Sequence, residues 1–209
     1  MTISTISDAV TDIPRERLEE AVEALALAFE DYPLMRHFFE EREGEYPRLL
    51  RQFMRFSCEV RLHLGMPLLG NVSGGRIAGV AGLTTPEVGS WPSELARMHE
   101  ALRETIGPLA AERLDEYSQL AEQYEPKDSH YYLGILGVRP EEQGKGHAKA
   151  LLDRLHELSQ AHPNSTGVYL DTEHPENVQL YEHFGYRVVG HARLGAVGVW
   201  CMWRPNESR

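Results

Sequence analysis

Only two cysteines, Cys58 and Cys201, occur in 209 residues. They lie far apart and outside any CxxC spacing, which excludes a disulfide framework and a cysteine zinc site and fits a reducing compartment. Long apolar runs are missing too: no stretch of about 18 uninterrupted apolar residues occurs, so no membrane-spanning helix is expected. The opening MTISTISDAVTDIPRE lacks a basic segment followed by an apolar one, so a cytoplasmic location is expected. Positive charge is scarce, with 21 Lys plus Arg against 32 Asp plus Glu and a net charge of -11. That balance argues against a surface that coats nucleic acid or an anionic membrane, and it suits a cationic substrate. The ten histidines form no HxxxH or HExxH pattern, so no metal is expected. There is no Gly-x-Ser-x-Gly elbow, no internal repeat and no low-complexity linker.

What is present is ordinary for one globular domain over 1–209, at 42% hydrophobic and 25% charged. Asp12 can cap a helix with Pro14 in its first turn, and Leu18, Val22, Leu25 and Phe29 recur at helical spacing. Pro33 interrupts that pattern. Leu49, Leu50, Phe53, Met54 and Val60 mark a second amphipathic helix ending near Gly65. Two short apolar runs either side of Ser73, Gly74 and Gly75 read as a β-hairpin. A helix-forming, acidic segment follows from Ser93 to Glu125, broken at Gly107 and Pro108. HYYLGILGV (130–138) and GVYLDT (167–172) read as buried strands, with a helix from Lys145 to Ala161 between them. A short helix from Glu176 to Phe184 and two closing strands, YRVVGHARL and VGVWCMWR, complete the chain. A strand, a helix and a second strand with so short a loop imply a parallel pair joined by a right-handed crossover, and the flanking hairpins make the sheet mixed.

The chemistry concentrates in QGKGHAKALL, 143–152. The first N–H groups of a helix lack intrahelical partners, and the macrodipole places positive charge there. Gly144 and Gly146 remove the Cβ atoms that would hold an anion at a distance, and Lys145 adds a mobile cation. In so acidic a chain, a polyanion needs such a local nest of amides. The P-loop pattern fails, because Arg139 stands where its first glycine belongs and Gly146 follows Lys145. The dinucleotide fingerprint fails as well, with Lys149 at its third glycine position.

Gln143-Gly144-Lys145-Gly146-His147-Ala148 does match Q/R-x-x-G-x-G/A, and so resembles the acetyl-CoA loop of the GCN5-related N-acetyltransferase (GNAT) superfamily. Asn177 and Tyr181, four apart in NVQLYEHFGY, resemble that family's Asn and Tyr, and the order loop, Asn, Tyr, FGY agrees. Within the superfamily, LAFEDYPLMRH, AGLTTPE, GVRPEEQGKG, YLDT and VWCMWRP are similar, in that order, to segments of the puromycin N-acetyltransferase family. The similarity is nearly continuous from 131 to 204 and patchy before it. The fold implied is α/β (α+β), a mixed, mostly antiparallel central sheet with a parallel strand pair flanked by helices and a helical insertion at about 93–128.

The activity implied is acetyl transfer from acetyl-CoA to the amine of a small molecule, puromycin-like compounds included. In that reading Gly144, Gly146, His147 and Ala148, between Gln143 and the helix and beside Lys145, hold the pyrophosphate. Leu136, Gly137 and Val138 align the pantetheine arm, and Asn177 bonds it. Asn177 also suits a helix cap after Pro175. Tyr181 is the expected general acid toward the leaving thiolate, its alternative being a core aromatic. Three residues are candidates for draining the amine proton: Tyr32 in the DYP stretch, Glu87 at the end of TTPE, and Glu173 after the second parallel strand. Two other readings stay open, an acyl-CoA-binding sensor without transfer and a transferase for protein or peptide amines. Monomer and homodimer are both compatible with the sequence.

Overall fold

The computed structural model describes residues 9–87, 89 and 91–207; residues 1–8, where the opening segment begins, lie outside it. Among the described residues the chain forms β1 (Thr11–Asp12), α1 (Leu18–Ala28), α2 (Pro33–Phe39), α3 (Tyr46–Leu64), β2 (Leu68–Ser73) and β3 (Arg76–Thr84). There follow α4 (Ser93–Ile106), α5 (Pro108–Glu122), β4 (Tyr131–Val138), α6 (His147–Ala161), β5 (Gly167–Thr172), α7 (Pro175–His183), β6 (Arg187–Leu194) and β7 (Val197–Pro205). The strands make one seven-stranded sheet in the order β1-β2-β3-β4-β5-β7-β6. Every pairing is antiparallel except β4 with β5, which is parallel. The mixed sheet and its parallel pair agree with the sequence reading.

Two cores lie on opposite faces of this sheet, because successive residues of a strand point to opposite sides. On one face α1, α2, α3 and α5 pack around Leu25, Phe39, Leu49, Met54 and Tyr169. On the other face Leu151, Leu152 and Leu155 of α6 pack on Leu133, Val168 and Leu170, joined by Tyr181 of α7. Each fully buried aliphatic side chain of this kind contributes roughly 1.5–3 kcal/mol. The α3 stripe is legible in the sequence as Leu50, Met54 and Cys58, but its next buried position is Arg61.

Three local expectations are corrected. Asp12 does not open the first helix: Thr11 and Asp12 pair with Gly70 and Leu69, so the chain is extended there and α1 begins only at Leu18. Ladder bonds to β2 take the place of the cap. Pro33 does more than interrupt, since it starts a separate short helix, α2, at the N1 position where its missing N–H costs nothing. The helix after the glycine loop starts at His147 rather than Lys145, because Gly146 stands at φ +94°, outside the right-handed helical region.

The feature that opens the molecule is a bulge in β4. Gly82 of β3 pairs with Ile135 and Leu83 pairs with Leu133, leaving Gly134 as the extra residue. Parallel pairing with β5 stops at Leu133↔Leu170, so the two strands part beyond that point. Residues 135–138 of β4 then pair in the sheet only with β3, and residues 171–172 of β5 pair only with β7.

Candidate active site

The gap between β4 and β5 leads into two cavities that meet. The first, about 710 Å³, runs along Leu136, Gly137 and Val138 to Gln143, Gly144, Gly146, His147 and Ala148. Its far wall is α7, with Asn177 and Tyr181, and its near wall is the end of α1 and the turn to Tyr32. A Cβ on Gly137 would lie 2.9 Å from Ala28 and 3.0 Å from Leu25, so glycine there lets α1 close over the strand. Gly144 and Gly146 stand at φ +75° and +94°, and a Cβ on either would meet nothing within 4 Å. These glycines therefore serve backbone conformation and leave open space. The first bond of α6 runs from Ala150 N–H to the Gly146 carbonyl at 3.0 Å, which leaves the preceding amides of the turn outside the helical ladder.

Polar side chains, two of them buried, hold this turn in place. Asn71 of β2, fully buried, donates from Nδ2 to the His147 carbonyl at 3.1 Å. Arg139, 1% exposed, donates from Nε to the Ile77 carbonyl at 2.8 Å and reaches Glu23 at 3.2 Å. Gln143 donates from Nε2 to the Val138 carbonyl at 3.2 Å. Lys145 is directed to Glu142, 3.1 Å away, and does not line the cavity. The residues present suit a phosphate-bearing, partly extended ligand: an amide-rich helix start at one end and a strand edge at the other.

The second cavity, about 530 Å³, lies on the other side of the junction under α4 and α5. Phe38, Phe53, Phe56, Trp91, Tyr117 and Tyr132 give it aromatic walls. Asp171, on β5, and Glu173, just past the end of that strand, form its acidic end. Tyr132 donates to Asp171 at 2.8 Å, and Tyr117 donates to the other oxygen of the same carboxylate. Glu173 is 4% exposed, and its Oε1 has no hydrogen-bond partner among the described residues. Burial raises its pKa well above the carboxylate range, and the neighbouring Asp171 adds to the rise. Burial raises Asp171 too, against the tyrosine hydroxyls that donate to it. Burial followed by the Asp171 charge keeps Tyr117 and Tyr132 protonated.

Phe29, Tyr32, Leu136, Asn177 and Tyr181 line both cavities and mark where they meet. The Tyr32 and Thr172 hydroxyls are hydrogen-bonded at 3.0 Å, and the Glu173 N–H donates to Tyr32 Oη at 3.1 Å. Asn177 donates from Nδ2 to Thr172 Oγ1 at 3.2 Å. It is not the cap of α7, since His174 occupies that position and Pro175 the first turn. Tyr181, 7% exposed, has its pKa raised first by burial and then by Asp171 and Glu173, so its hydroxyl keeps its proton.

Glu87, a candidate base in the sequence, lies apart from the other two candidates. It bonds to Asn164 at 3.0 Å and pairs with His162 at 3.1 Å, on the turn that enters β5, whereas Glu173 follows the strand's other end. It lines neither cavity. Sequence reasoning missed Asp171, Tyr117 and Tyr132 as parts of the acidic end. The alternation Asp171, Glu173 was a signal for the first, whereas nothing local marks the two tyrosines.

The Acetyltransferase (GNAT) domain family matches residues 105–188, which carry β4, the glycine turn, α6, β5 and α7. With the parted parallel strands and the paired cavities, the match likens this part of the chain to a GNAT acetyltransferase domain. An uncharacterized N-acetyltransferase of Schizosaccharomyces pombe is 34% identical over 62 residues, 30% of this chain and 24% of that protein. The chain thus spans about a quarter of that relative's length. Among solved structures, one described as histone acetyltransferase HPA2 and related acetyltransferase, from Corynebacterium glutamicum, superposes with a TM-score of 0.70 at 19% identity, covering 96% of this chain and 97% of its own. Arylalkylamine N-acetyltransferase 2 of Aedes aegypti gives 0.70 at 18% identity over 95% and 99%. The ribosomal-protein-S18-alanine N-acetyltransferase of Escherichia coli gives 0.55 at 14% over 96% and 95%. At these identities the likeness is one of fold.

Proposed function

We propose that the protein is an acetyl-CoA-dependent N-acetyltransferase that acetylates the amine of a small molecule by direct attack. The observation that carries this reading is the meeting of a strand-and-amide cleft with an aromatic, acidic cavity at Tyr32, Asn177 and Tyr181. Acetyl-CoA supplies an activated acetyl thioester. Gly144, Gly146, His147 and Ala148 offer backbone N–H groups to its phosphates, and the free edge of Leu136–Val138 offers peptide groups to its arm. Asn177 orients the arm beside Thr172.

The acidic end attracts an ammonium ion, and Glu173 takes a proton from it through the raised pKa of the buried pair. A carboxylate tuned upward is a better base near neutral pH than one at the ordinary value. Tyr32, bonded to Thr172 and the Glu173 amide, positions that carboxylate rather than accepting the proton. Tyr181 holds its proton at the junction and gives it to the departing sulfur. The roof of α4 and α5 favours a small acceptor over a protein chain. The two buried free cysteines suit a cytoplasmic setting.

Calorimetry with acetyl-CoA, followed by thiol release across a panel of amines that includes puromycin, tests the reading. Saturable binding and release with one amine class is the expected result. Binding with no release from any amine would instead favour an acyl-CoA sensor.

A further inference from the structure

One cation of the second cavity has no part in the chemistry above. Arg61 lies on the buried stripe of α3, after Leu50, Met54 and Cys58, and is 9% exposed. Among the described residues its side-chain hydrogen bonds both leave from Nη1, to the Ser57 carbonyl and Ser57 Oγ at 2.9 Å each. Among the described residues Nε is buried without a partner, Nη2 makes no hydrogen bond, and no carboxylate pairs with the guanidinium. A buried charge of this kind is normally paired, because desolvation without compensation is costly.

The sheet is shaped to admit it. A Cβ on Gly134 would lie 2.1 Å from Arg61 Nη2, and one on Gly82 would lie 3.1 Å from Nε. The guanidinium therefore occupies a slot between two residues without side chains, one of them the bulge residue that parts β4 from β5. Arg61 also lines the second cavity, together with Gly134, Tyr132 and Asp171. Leu133 pairs with Leu170, so Gly134 and Asp171 are the next residues along two strands that lie about 5 Å apart at that pair. The cavity thus presents a cation and a pair of carboxylates at one level, framed by aromatic rings.

We infer that Arg61 binds a carboxylate of the acceptor, so that the acceptor is an aromatic amine that also carries a carboxylate, a zwitterion of the aromatic amino-acid type. This deepens the transferase reading and rests on it for the turnover, though not for the binding. The ammonium end lies at Asp171 and Glu173, the carboxylate accepts from Arg61, and the ring packs among Phe38, Phe53, Phe56 and Trp91. A monoanionic carboxylate suits the site better than a phosphate, whose second charge would face the acidic pair. The transfer is unchanged: the N–C bond forms and the C–S bond breaks, Glu173 takes the first of the two protons that leave the ammonium nitrogen, Tyr181 gives its proton to sulfur, and the second proton from nitrogen restores Tyr181.

Matched amines that differ only in the carboxylate decide the matter: phenylalanine against phenylethylamine, and tryptophan against tryptamine. Each is titrated calorimetrically into the protein loaded with CoA, and each is assayed for thiol release with acetyl-CoA. The carboxylate member is expected to bind about 30-fold more tightly. Arg61→Gln should erase that preference, and Arg61→Lys should keep part of it. Equal binding within each pair, or a preference that survives Arg61→Gln, overturns the inference. Acetyl-CoA binding reports whether a variant has folded, and if Arg61→Gln has not, the parent's pairs and Arg61→Lys decide. A carboxylate preference without thiol release would defeat the transferase reading and leave Arg61's role standing. Release without a preference would do the reverse.

Discussion

The two cavities are built on opposite plans. The cleft along β4 comes from one continuous stretch, 136–149, closed by α7 and the end of α1, and its recognition groups are mainly backbone amides. The aromatic cavity draws single side chains from α2, α3, α4, α5, β4 and β5, and its recognition groups are charges and rings. A backbone cleft can be held by a few glycines and still bind one invariant ligand. A cavity assembled from side chains on many elements can change its occupant by single substitutions without disturbing its neighbour. The two halves should therefore respond to mutation separately, except at the residues they share.

The largest expected effect is at the acidic end. Glu173→Gln should lower kcat/KM on the order of 1,000-fold, leave acetyl-CoA affinity unaltered by calorimetry, and remove the acidic limb of the pH-rate profile. If acetyl-CoA affinity falls with it, the two cavities are not independent. Tyr181→Phe, at the junction, should cost on the order of 100-fold in kcat with the fold intact by circular dichroism, since only a proton donor is lost. Unchanged turnover would return Tyr181 to the role of a core aromatic.

On the cofactor side, Gly146→Ala should raise the KM for acetyl-CoA roughly tenfold, because an L residue pays about 1–2 kcal/mol at φ +94°. The KM for the amine should not move. The smallest effect is on stability, and its sign is opposite to that on activity. Glu173 has a raised pKa in the folded state, so its protonated form is favoured there and its stabilising contribution is present below the unfolded value of 4.5. That contribution is lost as pH rises through the folded pKa. Glu173→Gln, which mimics the protonated form, should therefore raise Tm at pH 8 and lose that advantage at pH 4, as thermal melts at the two values would record.

Much of the cofactor cleft could be read from the chain. The glycine pair, Asn177 and Tyr181 stand in sequence order at spacings that a local turn and a short helix impose, and the structure brings all of them to one cavity. Asn177 had a competing reading as a helix cap, and only the position of His174 at that cap removes it. The acceptor side was far less legible. Glu87, expected at the open end of the sheet, follows β3 at the end where β5 begins, because β3 runs antiparallel to β4 and β4 runs parallel to β5. Tyr117 and Tyr132 converge on Asp171 from positions 54 and 39 residues away, a meeting that no local pattern announces. Arg61 left a trace, an arginine in the register of an apolar stripe, but a lone arginine at such a position more often extends its charge to water.

The sequence by itself determined the alternation of strands and helices, the conformation of the turn at Gly144 and Gly146, and the chemistry such a turn offers, because these depend on side chains a few residues apart. Tertiary structure alone decided where β4 and β5 separate, since the bulge at Gly134 exists only as a mismatch of register between β3 and β4. It also decided which charges are buried and which are paired. Asp171, Glu173 and Arg61 are ordinary polar residues in the chain, and they acquire raised pKa values or an unpaired guanidinium only where packing removes the water around them.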